Sequence, residues 1–154
     1  MGLNNMIKLR KVEVLVPHRI SGFFQMMDPK EKNSQQDLTK IGSRGGGPAL
    51  TAFGKTKITI LPTNEDEDNN TEIKFKVFLN GNDNSAKAKT SCSVVNQMAH
   101  LLPKNVNLLI EHNFDLPIGA GFGSSGAGAL GIAFGLNALF QLDLTPLEAA
   151  KFAH

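Results

Sequence analysis

Between residues 106 and 140 the chain passes from a strand-like apolar stretch through Leu116-Pro117-Ile118-Gly119-Ala120-Gly121-Phe122-Gly123-Ser124-Ser125-Gly126-Ala127-Gly128 into a long apolar helical run. A strand that feeds a helix through such a turn leaves the first N–H groups of the helix without intrahelical partners, and that end attracts anions. Glycines at alternate positions let the backbone take positive φ and approach a polyphosphate without Cβ collisions, and successive N–H groups can form an anion nest. The serine pair adds hydroxyls at the same place. One can bond a phosphate oxygen and the other can ligate Mg²⁺. The loop is therefore expected to suit a polyphosphate.

Other readings of the loop remain open on residues alone. It lacks the Gly-Lys-Ser/Thr ending of a P-loop. Gly121-x-Gly123-x-x-Gly126 fits the dinucleotide fingerprint, and Asp143 lies near the distance of a ribose-binding acid. Asp143 stands between two helical runs, however, and not at the end of a second parallel strand, so the βαβ context is missing. A glycine-rich helix start used only for close packing is the plainer alternative.

The remaining chain reads as strands, then helices. Residues 9–16 alternate, with Val12, Val14 and Val16 on one face, and are expected to stop at Pro17. Residues 17–48 read as loop. Residues 49–53 and 57–61 read as two strands turning at Gly54, 73–79 as a further strand, and the sheet as antiparallel there. The acidic run 63–70 lacks the central Gly and late Glu of a calcium loop and reads as solvated. Helical spacing is expected over 86–102, a strand over 106–110 and a second helix over 125–140. Thr145-Pro146-Leu147-Glu148 is a capping box with Pro at the first helical position. The third helix it opens meets no stop signal before His154, so the chain is expected to be a fragment.

Composition bounds the partners. A chain of 154 residues with 41% hydrophobic and 19% charged residues is long enough for one domain with a core. A formal charge of +2, with no Trp or Tyr, gives no phosphate-neutralising stripe, so nucleic acid is not an expected partner. The longest apolar stretch, 127–140, is broken by Gly131, Gly135 and Asn137 and is too short to span a bilayer. The single Cys92 cannot pair internally, no leader pattern opens the chain, and a cytoplasmic setting is expected. Cys92 reads as a small helix residue, and His100 and His112, without partners at useful spacing, as structural.

Pro117-x-Gly119-x-Gly121-Phe122-Gly123-Ser124-Ser125-Gly126-Ala127 resembles the second motif of the GHMP kinases, the superfamily of galactokinase, homoserine kinase and mevalonate kinase. The resemblance implies an α+β amino-terminal kinase domain, a mixed sheet packed against helices with the glycine-rich loop at a helix N-terminus. It implies that Pro117, Gly119, Ala120, Gly121, Phe122, Gly123, Ser124, Ser125, Gly126 and Ala127 surround the phosphates of ATP and that Ser125 ligates Mg²⁺. Within the superfamily, Val16-Pro17-His18-Arg19-Ile20-Ser21-Gly22-Phe23-Phe24 with Gly42-Ser43-Arg44-Gly45-Gly46-Gly47 is similar to the archaeal pantoate kinases, which act in coenzyme A biosynthesis. That likeness implies pantoate as the substrate, with His18, Arg19, Ser21, Ser43 and Arg44 near it. The Arg44 guanidinium suits a carboxylate, and Ser21 and Ser43 suit hydroxyls. The acidic metal ligand and the aspartate at the acceptor hydroxyl are expected beyond His154, as is a carboxy-terminal domain. Another small alcohol as substrate, a non-catalytic nucleotide-binding module and a homodimer are left open.

Overall fold

The computed structural model describes residues 10–27, 42–62 and 73–153. Five strands form one sheet in the order β1-β4-β7-β5-β6: β1 is Lys11–Arg19, β4 Ala49–Leu61, β5 Lys74–Leu79, β6 Asn82–Asp83 and β7 Asn107–Phe114. Two more, β2 (Phe23–Met27) and β3 (Gly42–Gly46), make a separate antiparallel hairpin. Helices α1 (Lys89–Met98), α2 (Ser124–Phe140) and α3 (Pro146–Phe152) complete the chain, with α2 laid on β1 and β4 and flanked by the other two. The α+β class and the mixed sheet backed by helices are as expected from the sequence.

The alternation in β1 does what it predicts: Val12, Val14 and Val16 turn toward the helices while Lys11, Glu13 and Leu15 stay exposed. The strand does not stop at Pro17. It is an edge strand, where a missing N–H costs no second ladder, and it continues through a register shift to Arg19. Ile58, Val77, Leu108 and Ile110 from the sheet meet Val94, Val95 and Met98 from α1 and Ile132, Ala133, Leu136 and Leu139 from α2, all within 2% of full burial. That burial of aliphatic surface joins the two layers.

Further expectations change. Residues 49–61 are one strand, because Gly54 is not a turn but a place of close approach. A Cβ there would stand 2.9 Å from Cβ of Ala127 and 3.0 Å from the Phe114 ring. Residues 73–79 do not continue an antiparallel sheet with 49–61, since β7 enters between β4 and β5 and pairs with β5 in parallel. Residues expected as loop after Pro17 include the β2–β3 hairpin, which alternation did not reveal because β3 is mostly glycine. The first helix begins at Lys89, and residues 84–88 fold over Asn84, whose carbonyl accepts from the amides of Lys87 and Ala88. The acidic run 63–70 lies outside the described residues.

Glycines also set the height of α2 above the sheet. A Cβ at Gly131 would run into the side chain of Thr56, and one at Gly135 would stand 2.8 Å from Cδ1 of Ile58. Ile58 can swing its terminal methyl aside, whereas Thr56 is buried at its branch point. By contrast, a Cβ at Gly126 meets nothing within 4 Å. The third helix is fixed locally as the capping box requires, with Glu148 N donating to Thr145 Oγ1 at 3.3 Å and Thr145 N to Glu148 Oε2 at 2.9 Å. The hydrogen bonds from Thr145 hold the Glu148 carboxyl below its usual range. Gly131→Ala should cost about 2 kcal/mol through overpacking against Thr56, while Gly126→Ala should leave stability at or slightly above wild type. Urea denaturation of the two variants checks the contrast.

Candidate functional site

The loop expected from the sequence connects β7 to α2. Gly119, Gly121 and Gly123 have φ of 80, 86 and 70°, so the alternate glycines occupy the left-handed region that side chains strain to enter. Gly123 is also the residue from which α2 starts. The Ala127 amide is taken by Gly123 O at 2.9 Å, whereas among the described residues the amides from Gly121 to Gly126 have no hydrogen-bond partner. Ser124 Oγ is buried and likewise unpartnered. A row of free donors at a helix start, with a dry hydroxyl beside them, is complementary to an anion.

That end of α2 faces the first turn of α1 across a cavity of about 430 Å³, within the ordinary range of ligand pockets. The two helix starts touch, with Thr90 Oγ1 3.2 Å from Ser125 Oγ. Lys87 and Lys89 line the α1 side, and α1 has no acidic residue in its first turn. Among the described residues neither lysine has an ion-pair partner, so two cations sit unneutralised at a positive helix end. Leu79, Ala88, Phe114 and Ile118 give the cavity an apolar part.

His112 lies at the cavity floor. Its Nδ1 is 2.9 Å from Thr56 Oγ1 and its Nε2 3.1 Å from Ser91 Oγ, so β4, β7 and α1 are joined through one ring. A neutral imidazole has one donor and one acceptor nitrogen, and hydroxyls can answer both. Burial pushes its pKa from 6.5 down to about 4, which keeps the floor uncharged at neutral pH. Phe114 stacks on it at 5.7 Å, 15° from parallel. The sequence reads His112 as structural but without partners, and leaves the Thr90–Ser91 pair unread. The available signal was register: Leu108, Ile110 and His112 share the inward face of β7, and a histidine there points at the glycine loop that follows.

The expected site residues divide. Gly119, Gly121, Phe122, Gly123, Ser124 and Ser125 line the cavity. Pro117 and Ala120 are exposed and do not line it, and neither does Gly126. Ala127 is 4% exposed, its methyl faces Gly54 and its amide donates to Gly123 O, so it packs α2 against the sheet. His18 is fully buried, and its Nδ1 donates to Phe122 O at 2.9 Å, so it meets the glycine loop from the interior. Arg19 is exposed, with its stem beside Gly123 and its amide 3.2 Å from Phe122 O. Ser21 is exposed after β1. Ser43 and Arg44 lie in β3, opposite Met26 and Gln25. His18, Arg19 and Ser21 do not line the cavity.

No group of three or more His, Cys, Asp or Glu that could hold a metal occurs among the described residues, and no helix there is long and apolar enough to cross a membrane. Ser125, with Thr90 beside it, offers a hydroxyl at which a cation held mainly by phosphate oxygens could gain a ligand.

Residues 87–154 match the model of the GHMP kinases N terminal domain. The chain is 40% identical over 67 residues to a pantoate kinase from Methanospirillum hungatei, a match covering 44% of this chain and 22% of the relative. It is 54% identical over 35 residues to a homoserine kinase from Methanococcus vannielii, covering 23% of this chain and 12% of the relative. A solved structure titled as a phosphotransferase related to the CoA biosynthesis pathway superimposes with a TM-score of 0.71 at 29% identity, covering 94% of this chain and 44% of that one. The chain thus spans under half the length of the proteins it matches.

Acid should expose the burial of His112. Its folded pKa lies below the unfolded one, so its contribution is complete above pH 6.5 and is lost as pH falls from 6.5 toward 4. The loss should reach about 3 kcal/mol at pH 4. Denaturation curves at pH 7 and pH 4 for the wild type and His112→Asn check this, and an equal acid loss in the variant would assign it to other groups.

Proposed function

From the match of residues 87–154 to the GHMP kinase N-terminal domain and from that domain's fold around them, we propose that this chain is the nucleotide-binding part of an ATP-dependent kinase. Its acceptor is a small alcohol bearing a carboxylate, with pantoate the first candidate. The observation that carries the reading is the row of unpartnered amides from Gly121 to Gly126, beside the buried Ser124 hydroxyl, at the start of α2.

When bound, ATP supplies the phosphoryl group that ends on the substrate hydroxyl, and Mg²⁺ supplies charge against the phosphate oxygens. The chain's own residues bind and orient. The amides of the glycine loop and Ser124 Oγ would hold phosphate oxygens, Lys87 and Lys89 would offset their charge from the α1 side, and Ser125 would ligate the metal with Thr90 keeping its hydroxyl in place. Leu79, Ala88 and Ile118 would cover an apolar base. Arg19, exposed beside Gly123, stands where a guanidinium could meet either the transferred group or a carboxylate. Such fixed donors accelerate transfer by positioning and by meeting charge as it develops, with no reorganisation at the moment of reaction.

In the transfer itself the substrate oxygen bonds to the γ-phosphorus as the bond to the β–γ bridging oxygen breaks, ADP leaves, and the hydroxyl proton passes to a base. Among the described residues no carboxylate lines the cavity, and neither that base nor an acidic metal ligand is assigned to one of them. The identity to pantoate kinase and to the CoA-pathway phosphotransferase supports pantoate as substrate. The short stretch shared with homoserine kinase favours homoserine as the second candidate.

A coupled ADP-release assay on the full-length protein with Mg²⁺-ATP separates these readings. Release should require pantoate, not homoserine, and fall by at least about 100-fold in Ser125→Ala, the scale of losing a ligand to charge that develops in transfer. Homoserine-dependent release would exchange the substrates. Release that survives in Ser125→Ala would remove Ser125 from the metal site.

A further inference from the structure

His18 and Phe122 are 104 positions apart in sequence, yet one hydrogen bond joins them. Between Leu116 and Gly123 only two hydrogen bonds among the described residues come from outside the loop and its helix, and both end on Phe122 O: Nδ1–H of His18 at 2.9 Å and the amide of Arg19 at 3.2 Å. A carbonyl only accepts, so the proton of this imidazole is on Nδ1. Phe122 lies between Gly121 and Gly123, both at positive φ, and peptide planes flanked by glycine reorient at little steric cost. A single pinned oxygen therefore decides the direction of that peptide unit.

The direction matters because the peptide is trans, which sets C=O and N–H on opposite sides of the plane. An oxygen held toward β1 sends Gly123 N–H the other way. His18 does not line the cavity, whereas Phe122 and Gly123 do. We propose that His18 is a positioning residue of the phosphate loop: its imidazole locks the Phe122–Gly123 peptide unit so that Gly123 N–H is presented to the bound anion. The inference rests on the nucleotide-binding reading only for the identity of that anion.

The choice of side chain supports this. His18 is fully buried and packs against Phe114 at 5.8 Å, a setting in which a phenyl ring would serve equally well. Its Nε2 is buried without a partner, a penalty that a phenyl ring would avoid. What the imidazole alone provides is the directional N–H.

The test uses the full-length protein with His18→Phe, which fills the space without a donor. His18→Asn places an amide near the Nδ1 position, and His18→Gln places one near Nε2. The readouts are melting temperature, affinity for a non-hydrolysable Mg²⁺-ATP analogue, and the backbone ¹H–¹⁵N signals of Gly121 and Gly123. His18→Phe should melt at or above the wild type but bind the analogue about tenfold more weakly, with doubled or broadened glycine signals, as expected for losing one preorganising hydrogen bond. His18→Asn should return affinity to within about threefold of wild type, and His18→Gln should not. Wild-type affinity and unchanged signals in His18→Phe would overturn the proposal. Should His18→Phe fail to fold, Asn and Gln variants of equal affinity would overturn it and the expected split would support it. If the wild type itself does not bind the analogue, the nucleotide reading fails by itself; the glycine signals then decide, doubled in His18→Phe if the residue positions the loop and single if it does not.

Discussion

The close approach of α2 to β4 is the constraint on which the remaining arrangement depends. Gly54 admits Ala127, Gly131 admits the Thr56 side chain and Gly135 admits Ile58, so the helix lies lower on the sheet than one with larger residues on that face could. That depth brings the start of α2 over the end of β7, where the glycine loop has only nine residues, 115–123, in which to turn from strand to helix. It also brings Thr56 within reach of His112, which in turn holds Ser91 and the first turn of α1. Packing in the middle of the domain thus sets the distance between two helix starts at its edge.

Those two starts create an electrostatic situation that the described residues do not resolve by themselves. Each helix contributes unpaired N–H groups and a partial positive charge, α1 adds Lys87 and Lys89, and no acidic residue lines the space between them among the described residues. The floor stays neutral, because burial holds His112 well below the pH at which it would add a third cation. Such a site is complementary to an anion. The same burial makes the site acid-sensitive, since protonating the ring would set a charge against α1 and disturb both hydroxyl contacts. Preorganisation of this kind costs stability, in unpaired amides and orphaned polar atoms, and returns it when a ligand arrives.

How much of this could be read beforehand follows the range of the interactions. The glycine loop, the helix after it and the capped third helix were legible because each is signalled within a few residues: alternate glycines before an apolar run, or Thr145-Pro146 with Glu148. The alternation of β1 was legible for the same reason. The unbroken β4 was not, since Gly54 reads as a turn until Phe114 and Ala127 are known to press against it. The order of the sheet was hidden as well, because inserting β7 between β4 and β5 is a choice among pairings that strand patterns alone leave equal.

By itself, then, the sequence determined the local chemistry: where the backbone could bend through positive φ, where a helix would present free amides, and which hydroxyls would stand at that end. Tertiary structure decided which residues serve that chemistry. It buried His18 behind the loop and His112 beneath it, turned Ala127 into a packing residue, and brought Thr90 and two lysines to a loop that begins nearly thirty positions later. The physical reason is that these assignments depend on contacts between residues 21 to 104 positions apart. Such contacts form only once the aliphatic layers have closed, and nothing in the spacing of neighbouring residues records them.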